Sequence, residues 1–384
     1  MFDLQNVIDD TRIRLCLDCG KCTVVCPVAR YDLEFNPRLI VQSSLSQNGR
    51  GPVDERIWSC IACNMCMERC NYNVKFTDFI RYLRYEASAA GTEVQCSHGG
   101  TPQAIMHMMA HREIKQNRLN WLPKDIKVQK QSDTAFFVGC APYFDVLFNY
   151  LGVKTVEGSK GALRLLNRAQ IPFTLLPNER CCGCDLLLQG DMEGFLALAQ
   201  ANVTEFGKRG IRNIITNCPE CYYTFKVDYP RFLETWDINV THMTEIMVPL
   251  IENGQLALGE RKQKVTYHDP CMLGRYSRIF DQPRSILDSI DGLEMIEMAD
   301  NREKALCCGA SPWVHCGSVN RQIQQERLAQ AAATGADMLV TACPKCQIHL
   351  KCAQKNPEND DVCQIEIQDM FDLAAQSLPS EEAS

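Results

Sequence analysis

The stretch "CLDCGKCTVVCP", residues 16–27, is followed by "CIACNMCMERCN" at residues 60–71. Both repeat the spacing C-x2-C-x2-C-x3-C, and the first ends in a Cys-Pro pair. This run of cysteines is typical of a 4Fe-4S cubane pair, in which three thiolates wrap one cluster and the fourth ligates the other cluster. We therefore predict two cubane clusters. One takes Cys16, Cys19, Cys22 and Cys70, and the other takes Cys60, Cys63, Cys66 and Cys26.

A structural zinc site and disulfide bonds are the alternative uses of such thiols. Zinc needs only four ligands in two spaced pairs, so it does not call for a doubled run of four cysteines. The chain contains 23 cysteines, and its first residues, MFDLQNVIDDTRIRL, lack the apolar core and cleavage site of a signal peptide. We therefore expect a cytoplasmic protein whose thiols serve as metal ligands.

Composition narrows the class of protein further. The chain has 384 residues, of which 46% are hydrophobic, and this predicts two or three packed domains. It carries 40 basic and 47 acidic side chains and no long basic run, so neither nucleic acid nor an anionic membrane surface is expected as a partner. No stretch approaches the roughly 18 apolar residues of a membrane-spanning helix, so we expect membrane contact only through a partner subunit.

The segments around the two quartets have helical patterns. NPRLIVQSSLSQ and PVDERIWSC lie between the quartets, FTDFIRYLRYEASAAG follows the second one, and all three are predicted to be helical. The second quartet begins 34 residues after the first ends, a spacer far longer than that of a small βαββαβ ferredoxin. We therefore predict an α-helical ferredoxin module over residues 1–95 and a linker over residues 96–131.

Beyond the linker, the cysteines recur in a repeat of about 125 residues. The matching cysteines are 125 to 131 residues apart, a register that chance does not explain. The repeat divides the rest of the chain into a first cysteine-rich unit, residues 132–258, and a second, residues 259–384. FFVGC, ending at Cys140, returns as TYHDPC, ending at Cys271; ERCCGC, with Cys181 and Cys182, returns as ALCCGA, with Cys307 and Cys308; NCPEC, with Cys218 and Cys221, returns as ACPKC, with Cys343 and Cys346.

Each unit alternates short apolar runs with helical segments. TAFFVG, PFTLL and NIIT in the first unit, and KVTYH, LEMIEM and MLVT in the second, are predicted strands. Because strands that alternate with helices indicate parallel sheets, we predict two pseudosymmetric α/β units. Four cysteines follow strands at the carboxyl edge of the sheet, where ligands bind, and each CPxC is predicted to open a helix whose dipole favours thiolate. These four are Cys140, Cys218, Cys271 and Cys343.

The doubled code C-x(about 40)-CC-x(about 35)-CPxC resembles the cysteine-rich CCG domain of heterodisulfide reductases. The cubane module before it resembles the small iron-sulfur subunit of the same enzymes, so the chain is similar to the fused, D-type subunit over essentially its whole length. The resemblance implies that each unit holds a noncubane 4Fe-4S cluster and that the two clusters face a common cleft where a disulfide is split. One cluster would take Cys140, Cys181, Cys182, Cys218 and Cys221, and the other would take Cys271, Cys307, Cys308, Cys343 and Cys346.

The same resemblance implies an oxidoreductase subunit that passes electrons through the cubanes to the noncubane pair, which reduces or forms a disulfide. Its partners would be a small thiol or disulfide and a redox protein, which is a flavoprotein, a hydrogenase or formate dehydrogenase module, or a membrane cytochrome b. The alternative is an iron-sulfur relay without disulfide chemistry, as in subunits resembling those of glycolate, lactate or glycerol 3-phosphate dehydrogenases, where electrons leave to quinone. The two complete five-cysteine sets favour the first hypothesis.

Several residues near the codes remain to be placed. Unpaired cysteine is often buried, so we expect the five cysteines outside both codes to be structural, with Cys184 and Cys316 nearest to a cluster. Four polar residues lie close enough in sequence to donate protons or to pair with an anionic substrate, although a supporting role beside the ligands is favoured. The five cysteines are Cys96, Cys184, Cys316, Cys352 and Cys363, and the four polar residues are His268, His315, Arg275 and Lys345.

Overall fold

The ferredoxin module is helical, as predicted. The computed structural model describes residues 4–46, 55–92, 94–111, 113–116, 118–309, 312–356 and 363–379. The helix predicted over residues 52–60 is a short 3-10 helix, Glu55–Ser59, in its described part. The module and linker contain α1 Leu4–Thr11, α2 Lys21–Val24, α3 Pro27–Tyr31, α4 Pro37–Ser46, α5 Met65–Glu68, α6 Phe76–Ala89 and α7 Thr101–Ala110, with further 3-10 helices at Ile13–Leu15 and Ser97–Gly100.

The first cysteine-rich unit is a parallel sheet flanked by helices. Its strands are β1 Thr134–Phe136, β2 Asn213–Thr216 and β3 Asn239–His242. Its helices are α8 Ala141–Leu147, α9 Thr155–Arg168, α10 Cys184–Gln189, α11 Met192–Arg209, α12 Pro219–Tyr223, α13 Tyr229–Phe232 and α14 Met243–Glu252, with a 3-10 helix at Asn149–Leu151 and a π-helical turn at Thr224–Asp228.

The second cysteine-rich unit repeats this plan. Its strands are β4 Gln263–His268, β5 Leu293–Met295, β6 Met338–Thr341 and β7 Glu366–Asp369. Its helices are α15 Asp281–Asp288, α16 Ser318–Ala332, α17 Pro344–Lys355 and α18 Met370–Gln376, with a π-helical turn at Met272–Tyr276 and a 3-10 helix at Arg302–Lys304.

Both sheets are parallel and have equivalent strand orders. The first is β1-β2-β3, and the second is β5-β4-β6-β7. In the first sheet Ile214 of β2 pairs with Ala135 on one side and with Val240 on the other. A single bridge joins Ala135 to Thr174, so Thr174 occupies the place that β5 has in the second unit. The pseudosymmetry predicted from the repeat therefore extends to strand order.

The sequence pattern missed two strands and lengthened others. The predicted strand PFTLL is reduced to the bridge at Thr174, and β3 and β7 were not predicted. Both missed strands lie at a sheet edge and alternate exposed and buried residues instead of forming an apolar run. Their last residues, His242 and Asp369, are polar yet fully or nearly fully buried. An apolar-run criterion detects central strands and overlooks short edge strands of this kind.

The two units exchange helix contacts. Helix α9 of the first unit packs against α18 of the second, and α14 packs against α15. The first pair approaches so closely that a Cβ on Gly161 would lie 2.4 Å from the carbonyl oxygen of Phe371. Because only glycine lacks that atom, this packing depends on glycine. One apolar core runs through both units as a result. Within the described ranges, no helix has the length and apolar character needed to cross a membrane.

Candidate iron-sulfur centres

The two cysteine quartets share a local backbone conformation. In the first, Asp18 and Gly20 are left-handed, with φ of 57° and 75°. In the second, the equivalent Ala62 and Asn64 are left-handed, with φ of 48° and 63°. These residues turn the chain before α2 and α5, so that backbone N–H groups approach the sulfurs; the N–H of Ala62 lies 3.4 Å from Cys60 Sγ. Both loops therefore have the curvature that a three-thiolate wrap requires.

The thiols assigned to the first cubane lie near the surface, and we call them the outer quartet. Cys19 is exposed, whereas the other three are half-buried. All four line one pocket. The Cys70 sulfur also accepts a hydrogen bond from the N–H of Val74 at 3.4 Å. The outer quartet is Cys16, Cys19, Cys22 and Cys70, and the apolar wall of its pocket includes Leu15, Val41 and Phe76.

The thiols assigned to the second cubane are buried, and we call them the inner quartet. Cys26 comes from the first run but lies beside the second. Burial raises the pKa of its thiol, and negative charge on Cys63 and Cys60 raises it further. The structure thus brings Cys26 to the partners that the spacing predicts, while its role as their fellow ligand stays a prediction. The inner quartet is Cys26, Cys60, Cys63 and Cys66.

Two buried guanidinium groups flank the inner quartet. Arg84 donates to the carbonyl oxygen of Cys60 at 2.6 Å and to that of Leu188 in α10 at 2.7 Å. Arg275 donates to the carbonyl oxygen of Cys63 at 2.7 Å. Burial raises the pKa of both thiols, and the neighbouring guanidinium opposes that shift in each case. The arginines therefore tie the module to both cysteine-rich units and favour thiolate at the inner quartet.

The first five-cysteine set forms an unbroken series of neighbouring thiols. Hydrogen-bond contacts join Cys140 to Cys181 and Cys181 to Cys182. The series continues from Cys182 to Cys221 and ends at Cys218. Cys140 precedes α8 and Cys218 precedes α12, so both lie at helix N-termini, as predicted for the CPxC cysteine. All five residues that the sequence assigned to this site are brought together.

The second five-cysteine set repeats the same series. Cys271 contacts Cys307, and Cys307 contacts Cys308. Cys308 contacts Cys346, and Cys346 contacts Cys343. Cys343 caps α17, which is the counterpart of α12. The order of contacts is identical in the two units, as the repeat of the code leads one to expect; the assignment of all ten thiols as ligands stays a prediction.

The four groups of thiols are consecutive neighbours. Cys66 of the inner quartet is an electrostatic neighbour of Cys22 of the outer quartet. Cys63 is a neighbour of both Cys271 and Cys307 in the second set. Arg275 spans this last junction, since it also donates to the carbonyl oxygen of Ala305 at 2.6 Å, two residues before Cys307. The ferredoxin module therefore adjoins the second unit through its buried thiols.

A buried ionic cluster joins the two five-cysteine sets. Lys345 Nζ lies 2.7 Å from Glu220 Oε1 and also binds the carboxylate of Asp185. Glu220 and Lys345 are the variable residues of the two CPxC motifs, so equivalent positions carry opposite charges and meet. Burial raises the pKa of Glu220 to about 7, against the opposing charge of Lys345. Cys218 and Cys343, which precede the two motif residues, are electrostatic neighbours across the units.

Trp313 covers this ionic cluster. Its indole is fully buried, and Nε1 donates to Asp185 Oδ2 at 3.0 Å. Lys345 Nζ lies 5.5 Å from the ring centroid, within the range of a cation–π interaction. On its other side the ring stacks on Phe148, with centroids 5.2 Å apart. Aromatic side chains therefore shield the cluster from water.

The polar residues singled out from the sequence fall into two groups. Lys345 and Arg275 lie between thiol groups, as described above, and a ring nitrogen of His268 lies within 4.8 Å of two sulfurs of the second set. His315 is half-buried, and its backbone N–H donates to the carbonyl oxygen of Gln95. The structure shows hydrogen bonds and ion pairs that support the thiols for the first three residues.

The cysteines outside both codes are dispersed. Cys184, expected near a cluster, is buried beside Cys182 and Glu220. Cys316, for which the same was expected, has an exposed side chain. The remaining three are half-buried: Cys96, Cys352 and Cys363.

Sequence reasoning missed several buried charges at these sites. Asp185 follows CCGC directly and Glu220 lies inside CPEC, so proximity to the codes was an available signal. Glu179 accepts the backbone N–H groups just before the first cysteine of the first set, each at 3.0 Å, and pairs with Arg118 at 3.1 Å. Arg118 lies in the linker, 61 residues before Glu179, and no local pattern marks it.

The donor set suits iron-sulfur clusters. Burial raises the pKa of the Cys66 thiol well above its ordinary value, so a positively charged metal centre is needed to hold it as thiolate. Thiolates are soft ligands that suit iron-sulfur clusters and zinc, whereas the buried carboxylates nearby are engaged by arginine or lysine. Binding of iron would release the thiol protons and stabilise the fold.

Protein-family models match three parts of the chain. A model described as a 4Fe-4S dicluster domain matches residues 12–74, which include both quartets. A model described as a cysteine-rich domain, CCG, matches residues 134–226 and 265–351, which include both five-cysteine sets. These matches identify the thiol groups as iron-sulfur centres.

Curated relatives come from several redox complexes. The D-type subunit of a dihydromethanophenazine:CoB–CoM heterodisulfide reductase of Methanosarcina mazei is 30% identical, over 90% of this chain and 82% of its own length. The B-type subunit of a fumarate reductase (CoM/CoB) of Methanothermobacter marburgensis is 26% identical, over 96% of this chain and 74% of its own. An EtfAB:quinone oxidoreductase of Syntrophomonas wolfei is 26% identical, over 94% of this chain and 57% of its own.

Proposed function

The chain belongs to the family of D-type heterodisulfide reductase subunits, and from this premise we propose that it is the electron-transfer and catalytic subunit of a complex that reduces or forms a disulfide. In this proposal the quartets hold cubane 4Fe-4S clusters and the five-cysteine sets hold noncubane 4Fe-4S clusters. When bound, these clusters supply single-electron carriers. The residues of the chain set their order and control what reaches them.

The observation that carries the proposal is the meeting of two complete five-cysteine sets. Cys218 and Cys343 are neighbours across the two units, and the motif residues Glu220 and Lys345 pair between them. A disulfide has two sulfurs of similar chemistry, and two equivalent thiol sites on either side of one region match that substrate. A linear relay needs one site after another and gains nothing from this symmetry.

Charge balance assigns a role to the ionic cluster. Reduction of a disulfide consumes two electrons and two protons and yields two thiols, and disulfide formation is the reverse. Lys345 places a positive charge between the two sets, where it would stabilise negative charge that develops on sulfur. Asp185 and Glu220 hold its Nζ in place, and Trp313 keeps water away. We assign Lys345 a positioning role for the sulfur groups of the substrate.

The outer quartet is the proposed point of exchange with a redox partner, because Cys19 is exposed there. The partner would be a flavoprotein, a hydrogenase or formate dehydrogenase module, or a membrane cytochrome b. We propose a cytoplasmic location for the chain, at the membrane surface if the partner is a cytochrome.

Disulfide-dependent reoxidation tests the function. Anaerobically prepared protein is reduced, mixed with candidate disulfides such as the CoB–CoM heterodisulfide, and followed by its visible absorption. We expect rapid reoxidation by one of them, and a new or shifted electron paramagnetic resonance signal when the oxidised protein is titrated with the matching thiol. Cys182→Ser and Cys308→Ser should abolish both responses and keep the cubane signals. Cys352→Ser, in a half-buried cysteine outside both sets, is the matched control and should retain both responses.

An iron-sulfur relay is the second candidate function. The consecutive thiol groups and the quinone oxidoreductase relative favour it. If no disulfide reoxidises the protein and no thiol changes its spectrum, while a quinone does so in the presence of a membrane partner, the relay is correct and the disulfide proposal is wrong.

A further inference from the structure

One buried histidine distinguishes the two five-cysteine sets. His268 is the last residue of β4, is fully buried, and lies three residues before Cys271. One of its ring nitrogens lies within 4.8 Å of the sulfurs of both Cys308 and Cys346. In the first unit the equivalent residue, three positions before the first cysteine of the set, is Phe137.

The hydrogen bonds of His268 fix its tautomer. Arg327 Nε lies 3.0 Å from His268 Nδ1, and a guanidinium N–H can only donate. Nδ1 therefore carries a lone pair, and in the neutral ring the proton is on Nε2. Arg327 is itself buried and held by the carbonyl oxygen of Asp300 and the side chain of Gln330, both at 2.8 Å. The ring cannot rotate without breaking this arrangement.

Nε2 is left with a proton to donate. It is buried and has no hydrogen-bond partner among the residues that the structure describes. Buried polar groups without partners are rare and indicate a missing ligand or acceptor. The nearest acceptors of suitable kind are sulfurs at the second set. Coordination of iron by Nε2 would require its lone pair there and a proton on Nδ1, opposite the Arg327 donor, so the geometry favours donation over ligation.

The first unit offers no counterpart to this donor. Phe137 packs edge-on against Phe225, with ring centroids 4.6 Å apart. It reaches the same part of its own set, because Cys221 Sγ and the Phe137 ring both border the Cβ position of Gly139, at 3.0 and 3.3 Å. Cys221 is the equivalent of Cys346. A hydrocarbon ring therefore faces the first set where a histidine N–H faces the second.

We propose that His268, held by Arg327, donates an Nε2–H hydrogen bond to a sulfur at the second five-cysteine set and thereby raises the reduction potential of that site above that of the first. Hydrogen bonds to sulfur stabilise the more negative, reduced state of an iron-sulfur cluster. Because the second set adjoins the inner quartet through Cys63, the unit that receives electrons from the module is also the one that is easier to reduce. This inference rests on the proposed function in one respect, since both sets must hold a cluster.

The test uses the full chain labelled with ¹⁵N-histidine and prepared anaerobically. Pulsed electron paramagnetic resonance should detect a weak ¹⁵N coupling on one noncubane signal. Potentiometric titration of His268→Phe, which installs the residue of the first unit, should shift the midpoint of that signal to lower potential and abolish the coupling. His268→Gln, which keeps a donor, should shift it less. His242→Asn is the control: it replaces a buried histidine that caps α14 with another capping residue and should shift neither noncubane midpoint.

Each outcome decides the inference. No histidine coupling, a coupling as strong as that of a direct ligand, or an unchanged midpoint in His268→Phe at full iron content overturns it. If His268→Phe does not fold, the labelled wild-type protein still decides. Iron content and disulfide-dependent reoxidation of the same sample report on the proposed function separately: about 8 irons per chain overturns both, whereas full iron and a coupling without disulfide reactivity overturns only the disulfide function.

Discussion

The two cysteine-rich units hold five thiols in the same order but surround them with different chemistry. At equivalent positions, the first unit has Phe137 and Glu220 where the second has His268 and Lys345. The last buried strand residues differ in the same way, with His242 in the first unit and Asp369 in the second. The repeated fold therefore fixes the positions of the thiols, while unlike neighbours give the two sites unlike properties.

The two quartets show a second contrast of this kind. Both share the same left-handed loop residues, yet the outer quartet is open to solvent at Cys19 and the inner one is buried between Arg84 and Arg275. Burial converts one of two similar sites into an internal junction. The predictions below test how far each contrast determines behaviour.

The largest effect is expected from exchanging a fourth cysteine. Cys26→Ser should damage the cluster of the inner quartet, because Cys26 lies beside Cys60 and Cys63. Cys70→Ser should damage only the outer cluster. Electron paramagnetic resonance of folded, anaerobically prepared variants measures this, with circular dichroism as the check on folding. Loss of the same single cluster in Cys70→Ser and Cys66→Ser would contradict the exchange.

Removal of the lysine between the units should be the next largest effect. Lys345→Met leaves Asp185 and Glu220 buried without their cation, at a cost of roughly 3–5 kcal/mol in the free energy of unfolding. Glu220→Gln is the milder comparison: Lys345 keeps Asp185, so we expect about 1 kcal/mol. Denaturant titration of both variants measures the difference. Equal costs would show that the ionic cluster does not join the units as described.

The buried caps should give the two units opposite pH dependences. Burial raises the pKa of Asp369 to about 7, so the stability it allows at low pH is lost as pH rises from about 4 to 7, by on the order of 3 kcal/mol. Burial lowers the pKa of His242 to about 3, so stability is lost there as pH falls below about 6.5.

Two asparagine variants separate these effects. Relative to wild type, Asp369→Asn should gain stability as pH rises from 5 to 7, and His242→Asn should gain it as pH falls from 7 to 5. The apparent unfolding midpoint in denaturant at pH 5, 6, 7 and 8 is the measurement. Parallel curves for both variants and wild type would contradict the assigned charge states.

The smallest effect tests the helix exchange. Gly161→Ala places a Cβ against the backbone of Phe371 and should cost about 1–3 kcal/mol. Gly207→Ala in α11 meets open space, so it should be neutral or stabilise by up to about 1 kcal/mol. Thermal unfolding of the two variants gives the comparison. A neutral Gly161→Ala would mean that α9 and α18 do not pack as closely as described.

Local patterns predicted the thiol groups and the central strands, because cysteine spacing and apolar runs are properties of adjacent residues. NIIT became β2 and MLVT became β6 with the predicted bounds. Edge strand β3 escaped detection since its alternating pattern is short. The contact of Lys345 with Asp185 joins residues 160 positions apart, and only the packing of the two units brings them together. The buried charges at the site belong to this non-local class.

The central claim is that both cysteine-rich units bind a cluster, and iron content tests it most directly. Two cubane and two noncubane clusters of four irons each predict about 16 irons per chain in completely reconstituted, anaerobic protein, with about 12 in a folded Cys308→Ser variant. Inorganic sulfide and zinc are measured on the same samples. About 8 irons in the wild type, unchanged in Cys308→Ser, or zinc in place of iron, would contradict the account.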